Sequence, residues 1–303
     1  MMNRIYKILK TVFKNISTYF CIFYLTFQPV FAQTVANNAL PTNPNVTSGS
    51  ATFNQTTNQL TINQATDKLI TNWSSFNIGK DATVTFNQPS SLSSALNRVN
   101  SNDPSYIFGK LNANGQVILL NQSGVIFGNG AKFDAGSFIA STLNIKDTDF
   151  LNGRMVFEKD GVAGSITNEG YLNAFAGGAV ALIAPQIINN GTISAESGTA
   201  ALLSGNKVTL SLNGNKLVKY TIDEGTLNSY IENNGAIKVD EGVVILSAKT
   251  LDDLSKSVIS NSGLIEAKGI STKGGKIILE GDDITLKSTS VVDASGALGG
   301  VRF

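Results

Sequence analysis

Apolar residues alternate with small polar ones over runs of four to eight positions, and Gly or Asn then interrupts the run. Val84 and Phe86 alternate in Thr83–Phe86, Val208, Leu210 and Leu212 in Lys207–Leu212, and Ile284 and Leu286 in Asp283–Lys287. A period of two predicts strands whose two faces differ. One segment breaks the pattern, because Leu92, Ala95, Leu96 and Val99 fit the i, i+3, i+4, i+7 spacing of a helix. Pro89 and a run of Ser precede it and strand patterns flank it. The segment is therefore read as a strand, with a short helix as the alternative.

The second half of the chain repeats one turn formula. Ile166-Thr167-Asn168-Glu169-Gly170 returns as Ile188-Asn189-Asn190-Gly191, as Ile231-Glu232-Asn233-Asn234-Gly235 and as Ile259-Ser260-Asn261-Ser262-Gly263. An apolar residue and a further strand pattern follow each turn. The steps from Gly to Gly are 21, 44 and 28 residues, read as one coil, two coils, and one coil with an insertion. A period near twenty residues without helices predicts an all-β solenoid, each coil laying short strands about 4.8 Å above the last. Val, Ile, Leu and Ala are expected inside. The turn Asn is expected to accept a left-handed conformation and to ladder its amide with the Asn above and below. The Gly is expected to supply a positive φ at the corner. A β-sandwich with chance Asn-Gly turns is the alternative, disfavoured because the formula returns at similar phase.

Composition narrows the chemistry. The chain has 303 residues and no His, which excludes Ser-His-Asp and Cys-His catalysis and His-ligated zinc or haem. A single Cys excludes a disulfide framework and an Fe–S cluster. A net charge of +1 gives no electrostatic pull toward nucleic acid, so none is expected as a partner. The 42% hydrophobic content suffices for a core, and 15% charge beside 32 Asn and 29 Gly suits a β-rich extracellular protein.

The N-terminus reads as an export signal. Arg4, Lys7, Lys10 and Lys14 precede the apolar run Phe20–Phe27, and Val30 and Ala32 occupy the small-residue slots of a cleavage site. Residues 1–32 are assigned as a signal peptide cut after Ala32. The alternative, an uncleaved anchor, needs about 20 apolar residues to span a bilayer, and this run is shorter. Cleavage removes four of the 23 basic residues, leaving 19 against 22 acidic ones, a net of −3. It also removes Cys21, so oxidation could not lock the exported chain in the periplasm.

The segment after the signal carries distinctive motifs: Asn72-Trp73-Ser74-Ser75-Phe76-Asn77-Ile78-Gly79, Val84-Thr85-Phe86-Asn87-Gln88-Pro89-Ser90 and Leu96-Asn97-Arg98-Val99. Gly109–Val117, Leu120-Asn121-Gln122-Ser123-Gly124-Val125-Ile126-Phe127-Gly128, Phe138–Leu143 and Asp149-Phe150-Leu151 follow. In this order they resemble the filamentous-haemagglutinin-type secretion domain (haemagglutination activity domain) of two-partner secretion exoproteins, the TpsA family. The resemblance covers residues 33–160 motif by motif, and residues 161–303 look like the first coils of the stalk that follows. It implies a right-handed parallel β-helix with an N-terminal cap and extra-helical strands, and no cofactor. It implies Sec-dependent passage to the periplasm of a Gram-negative bacterium and recognition there by the POTRA domains of an Omp85-type outer-membrane transporter, TpsB. It further implies delivery to the cell surface as part of an adhesin or haemagglutinin, with a host-cell or glycan receptor.

The resemblance singles out candidate residues. The family tetrapeptide Asn-Pro-Asn-Gly stands here as Asn121-Gln122-Ser123-Gly124, followed by Val125. Pro would preset the turn and the second Asn would accept a left-handed conformation. Either Asn121 and Gly124 suffice for the turn, the favoured reading, or the motif is a drifting copy. Trp73 and Phe76 are candidate transporter contacts, though a core or cap role is favoured. Asn97 and Arg98 are further candidates, with Arg98 expected to pair with a carboxylate in the cap. Asp252-Asp253 and Asp282-Asp283 are read as turn residues, since neighbours on a strand point to opposite faces and make no catalytic cluster. The chain is therefore expected not to be an enzyme. An adhesive module that binds a glycan or host protein is the alternative, and a β-helix carbohydrate enzyme ranks below it. The sequence stops in mid-coil at Gly299–Phe303, which reads as the front of a longer or truncated exoprotein.

Overall fold

The computed structural model describes residues 35–252, 255–269, 275–296 and 299–303. The cleavage assigned after Ala32, and Asp253 of the first Asp pair, lie outside them. From Thr83 onward the chain winds in coils of three short strands, the first made of Thr83–Asn87, Ser94–Val99 and Ser105–Ile107. Lys110–Ala113, Gln116–Leu120 and Val125–Phe127 make the second coil, and Lys132–Ala135, Ser137–Ser141 and Ser165–Asn168 the next. Each strand pairs in parallel with its counterparts above and below, as Phe133 does with Leu111 on one side and Leu172 on the other. Three stacked sheets result, and the fold is a parallel β-helix.

The N-terminal end is closed differently. Asn45–Ser48 pairs antiparallel with Lys68–Trp73, and Ala51–Gln55 pairs antiparallel with Gln59–Gln64. These strands cover the first coil, as the expected cap does. The segment around Leu96 is the strand Ser94–Val99, not a helix.

The apolar period places two cores. Leu111, Val117, Leu119, Phe133 and Phe138 point into the coil and belong to one continuous interior cluster. Phe127 packs edge-on against Phe133 and Phe138, with centroids 5.2 and 5.7 Å apart. In the sheet that contains Gln116–Leu120, the outward residues are apolar too. Ile118, Leu120 and Ile139 lie under a second cluster with Phe150, Phe157, Leu210 and Ile222. Burial on both faces explains why these strands read as nearly continuous apolar runs rather than alternating ones.

The cover over that sheet is an extra-helical, four-stranded antiparallel sheet of Asn144–Ile145, Met155–Glu158, Lys207–Asn213 and Lys216–Glu224, with helix α1 (Asp147–Leu151) beside it. Gly214, at φ +59°, opens the two-residue turn that joins the last two strands. The tip reaches back over earlier coils, where Gln116 Nε2 donates to Gly214 O at 2.7 Å and Ser137 Oγ to Asn215 O at 2.7 Å.

Three expectations need correction. The 44-residue step is one coil, not two: Gln186–Asn189 pairs directly with Tyr230–Asn233, and the hairpin Lys207–Glu224 is inserted between them. Val208, Leu210 and Leu212 thus alternate in an extra-helical strand. The ladder asparagines are not left-handed, since Asn43, Ser197 and Glu241 are the described non-glycine residues at positive φ. They close strands instead, and their amides stack: Asn168 Nδ2 donates to Asn189 Oδ1, Asn189 to Asn233, and Asn233 to Asn261, each at 2.7 Å. Finally, Gly170, Gly191, Gly235 and Gly263 do not have positive φ. They are required by close approach. A Cβ at Gly191, Gly235 or Gly263 would run into the carbonyl oxygen of Gly170, Gly191 or Gly235 respectively, and one at Gly170 would lie 2.7 Å from Ala131 O.

Candidate functional site: the turn at Asn121 and its surroundings

Asn121 ends the strand Gln116–Leu120 and turns the chain toward Val125–Phe127. Its carbonyl accepts the Gly124 N–H at 3.0 Å, which closes a β-turn, and its Oδ1 accepts the Ser123 N–H at 2.9 Å. Gly124 sits at φ +123°, a conformation open to Gly. The Asn121 amide donates to Asp103 O at 3.1 Å and to Ser105 Oγ at 3.0 Å in the preceding coil. Asn121 is 1% exposed, so every one of these bonds replaces water.

The two non-family residues are also held. Gln122 Nε2 donates to Asp160 O at 2.7 Å, and Gln122 O accepts the Gly164 N–H at 2.7 Å. Ser123 Oγ donates to Ser101 O at 2.9 Å. A Cβ at Gly164 would stand 2.6 Å from Ser123 O, so the next coil presses directly on the turn. Side chains therefore provide the rigidity that Pro would give by its fixed φ. The sequence pointed to the turn but not to its partners, because Ser101–Ser105 and Asp160–Gly164 carry no motif of their own.

Trp73 and Phe76 are each 1% exposed and Asn97 is fully buried. Trp73 Nε1 donates to Asn97 Oδ1 at 3.0 Å, and its ring packs edge-on against Phe53 and Phe76 with centroids 5.7 and 5.4 Å away. In the folded domain these three residues are core. Arg98 faces outward into the extra-helical segment rather than the cap. Its guanidinium donates to Asn144 Oδ1, Asn72 Oδ1, Ile145 O and Asp147 Oδ1 at 3.0, 3.2, 2.8 and 2.7 Å. Asp147 is the carboxylate that completes the ion pair. The turn and Arg98 thus lie at the same end of neighbouring parallel strands, Arg98 opposite Leu120 in the register and Asn121 the next residue along.

The carboxylate pair at Asp282-Asp283 serves structure. Asp282 Oδ2 accepts the Ser257 N–H at 2.9 Å and the Ser257 hydroxyl at 2.8 Å, which hold its carboxyl below the usual range. Asp283 opens the strand Asp283–Leu286, rather than sitting in the turn, and pairs with Lys256 at 3.5 Å. Among the described residues no group of three or more acidic, Cys or His side chains could hold a metal ion.

Residues 32–296 match the TPS secretion domain family. Two heme/hemopexin-binding proteins of Haemophilus influenzae are similar to the chain, with 34% identity over 226 residues and 33% over 239. Each alignment takes in 72% of this chain but 24% and 25% of the relative, so the chain spans a small part of their length. The crystal structure of the HMW1 secretion domain from Haemophilus influenzae is similar at 29% identity with a TM-score of 0.69, over 84% of this chain and 74% of that one. With its motifs on coils of a capped parallel β-helix and its family match running almost the whole length, this chain belongs to the TPS secretion domain family of two-partner-secretion exoproteins, which Gram-negative bacteria secrete.

Proposed function

We propose that this chain carries the export address of its exoprotein. It enters the periplasm through Sec, is cut after Ala32, and is read there by the POTRA domains of an Omp85-type barrel, its TpsB partner. It then threads outward and folds at the cell surface. Residues 33–160 hold the address, and the coils from 161 begin the stalk. The observation that supports this reading is the turn at Asn121. Two of four signature positions have changed, yet Asn121 and Gly124 still close the turn and Gln122 and Ser123 have acquired partners of their own.

Trp73, Phe76 and Asn97 fit a recognition role before folding, when a threaded chain exposes them, and a core role afterwards. Coil stacking gives the chain a reason to leave. Each coil that folds outside hides apolar surface worth about 25 cal/mol per Å², a gain open to it after exit. The heme/hemopexin binding named for the relatives is not assigned to these residues, which include no His for an axial ligand. An adhesive role at the surface remains a property of the whole exoprotein.

The test is release into the medium from a Gram-negative host, with and without the cognate barrel. Barrel-dependent release that Asn121→Ala abolishes is the expected result. A Gln122→Pro/Ser123→Asn double variant, which restores the family tetrapeptide, should keep release. Release without the barrel, or release indifferent to Asn121→Ala, would overturn the reading.

A further inference from the structure

Six Asn-Gly pairs occur in the chain, at 114–115, 129–130, 152–153, 190–191, 213–214 and 234–235. This dipeptide is chemically labile, because a Gly amide nitrogen is unhindered and can attack the neighbouring Asn side chain. The nitrogen lone pair forms a bond to Asn Cγ, ammonia leaves with the side-chain nitrogen, and a five-membered imide results. Water then adds to either imide carbonyl and breaks one C–N bond, giving Asp or isoaspartate. The reaction needs an Asn side chain free to turn and a Gly N–H free to swing toward it. All six Asn side chains are exposed, so exposure does not discriminate among them.

Hydrogen bonding does. The Gly191 and Gly235 amides donate to Asn168 O and Asn189 O, both at 2.9 Å, and Asn234 Nδ2 ties to Asn190 Oδ1 at 3.0 Å. The Gly115 amide donates to Gln88 Oε1 at 2.8 Å, while the Asn114 side chain is bonded twice to the Gln88 backbone. The Gly153 amide donates to Phe150 O at 3.0 Å and Asn152 Nδ2 to Thr148 O at 2.7 Å. Asn129-Gly130 and Asn213-Gly214 differ. Neither Asn side chain and neither Gly amide has a hydrogen-bond partner among the described residues.

The fold explains why these two stand apart. The corner between Phe127 and Lys132 has four residues, where the corner stacked on it, between Asn168 and Tyr171, has two. The extra pair, Asn129-Gly130, loops out of the ladder as the centre of a turn closed by Ala131 N–H to Gly128 O at 3.0 Å, with Gly130 at φ +92°. Asn213-Gly214 is the tip of the extra-helical hairpin, off the coil ladder, and the bond that ties it to an earlier coil, from Gln116 Nε2, is to the Gly214 carbonyl and leaves its amide free.

We propose that Asn129 and Asn213 are the sites of spontaneous deamidation in the folded protein, that coil stacking shields the pairs at Asn114, Asn190 and Asn234, and that the end of α1 shields the pair at Asn152. The shielding matters most at Asn190 and Asn234. Isoaspartate there would insert a methylene into a corner whose Gly already touches the backbone of the coil below. A chain kept unfolded loses this protection at every pair and accumulates links that its coils cannot stack.

The full chain is incubated folded, and in parallel unfolded in urea, at mildly alkaline pH in heavy-oxygen water, and each peptide is mapped by mass spectrometry. Heavy oxygen should enter the peptides of Asn129 and Asn213 in both samples. Those of Asn114, Asn152, Asn190 and Asn234 should be labelled in urea and at least about ten-fold more slowly in the folded protein, since they react through local opening. A portion aged in urea is then refolded, and the fraction modified at Asn190 or Asn234 should fail to regain protease resistance. Comparable labelling of all six pairs in the folded protein would overturn the proposal, as would an unlabelled Asn129 and Asn213 beside labelled ladder sites.

Discussion

The backbone of Gly191 lies so close over Gly170 that a methyl group on it would run into the Gly170 carbonyl oxygen. The contact recurs up the corner, with Gly235 on Gly191 and Gly263 on Gly235. Rigid backbone stands on the far side, so no side-chain rotation relieves it. Gly235→Ala is therefore expected to cost about 3 kcal/mol, at the upper end of overpacking penalties. Gly177→Ala is the control: it has open space around it but a φ of +81°, and should cost about 1 kcal/mol. Urea midpoints of the two variants check the ranking. Equal losses would mean that the stacked backbones part easily and that close approach does not decide Gly235.

The Asn ladder makes a graded prediction. Asn189 both accepts from Asn168 and donates to Asn233, whereas Asn261 ends the described row and accepts from Asn233. All four are fully buried, so truncation strands their neighbours' polar atoms without water. Asn189→Ala should cost about 2–4 kcal/mol and Asn261→Ala about half of that. Chemical denaturation reads both, and a ladder whose ends and middle lose equally would argue against a cooperative row.

These two devices also mark what a sequence can and cannot disclose. The Asn and Gly of the corner were legible because a stacked fold repeats its formula. The reason for the Gly was not, because close approach comes from the neighbouring coil, dozens of residues away in the chain. The hairpin Lys207–Glu224 was hidden for a related reason. Its strands alternate like coil strands, so a 44-residue step passed for two coils. The tell was elsewhere, in the doubly apolar Gln116–Leu120, whose outward Ile118 and Leu120 need a cover. At the signature turn, Asn121 and Gly124 were readable. Their partners Ser105 and Asp103 were not, since hydrogen bonds from one coil to the next leave no local pattern.

Arg98 is the clamp between the coil and its cover. Four acceptors converge on it, three of them in Asn144–Asp147 at the start of the extra-helical segment. Arg98→Ala should free that segment while leaving the interior cluster intact. The expected loss is about 1–3 kcal/mol, as for charged hydrogen bonds. In hydrogen exchange, amides of α1 and Met155–Glu158 should lose protection, while those of Gln116–Leu120 keep theirs. Arg98→Lys should rescue little, because a single ammonium cannot reproduce the planar fork. Uniform loss of protection across all coils would instead make Arg98 a general stabiliser.

Acid should unfasten the late coils first. The Ser257 amide and hydroxyl hold the Asp282 carboxyl below the usual carboxylate range, and Lys256 adds to the effect. The Ser295 hydroxyl and amide do the same for Asp293, aided by Lys268 and Arg302. A carboxyl that is more acidic in the folded state favours folding when it is ionised. Its contribution is therefore fully present above the unfolded value of about 3.9 and disappears as pH falls through that value and the folded one. The urea midpoint should hold between neutrality and about pH 5 on account of these groups, then drop below about pH 4. Asp282→Asn keeps an acceptor for Ser257 but never ionises. It should be less stable than the parent at neutral pH, and the two curves should converge in acid. Parallel curves down to the lowest pH would show that the Ser257 bonds do not favour the ionised form.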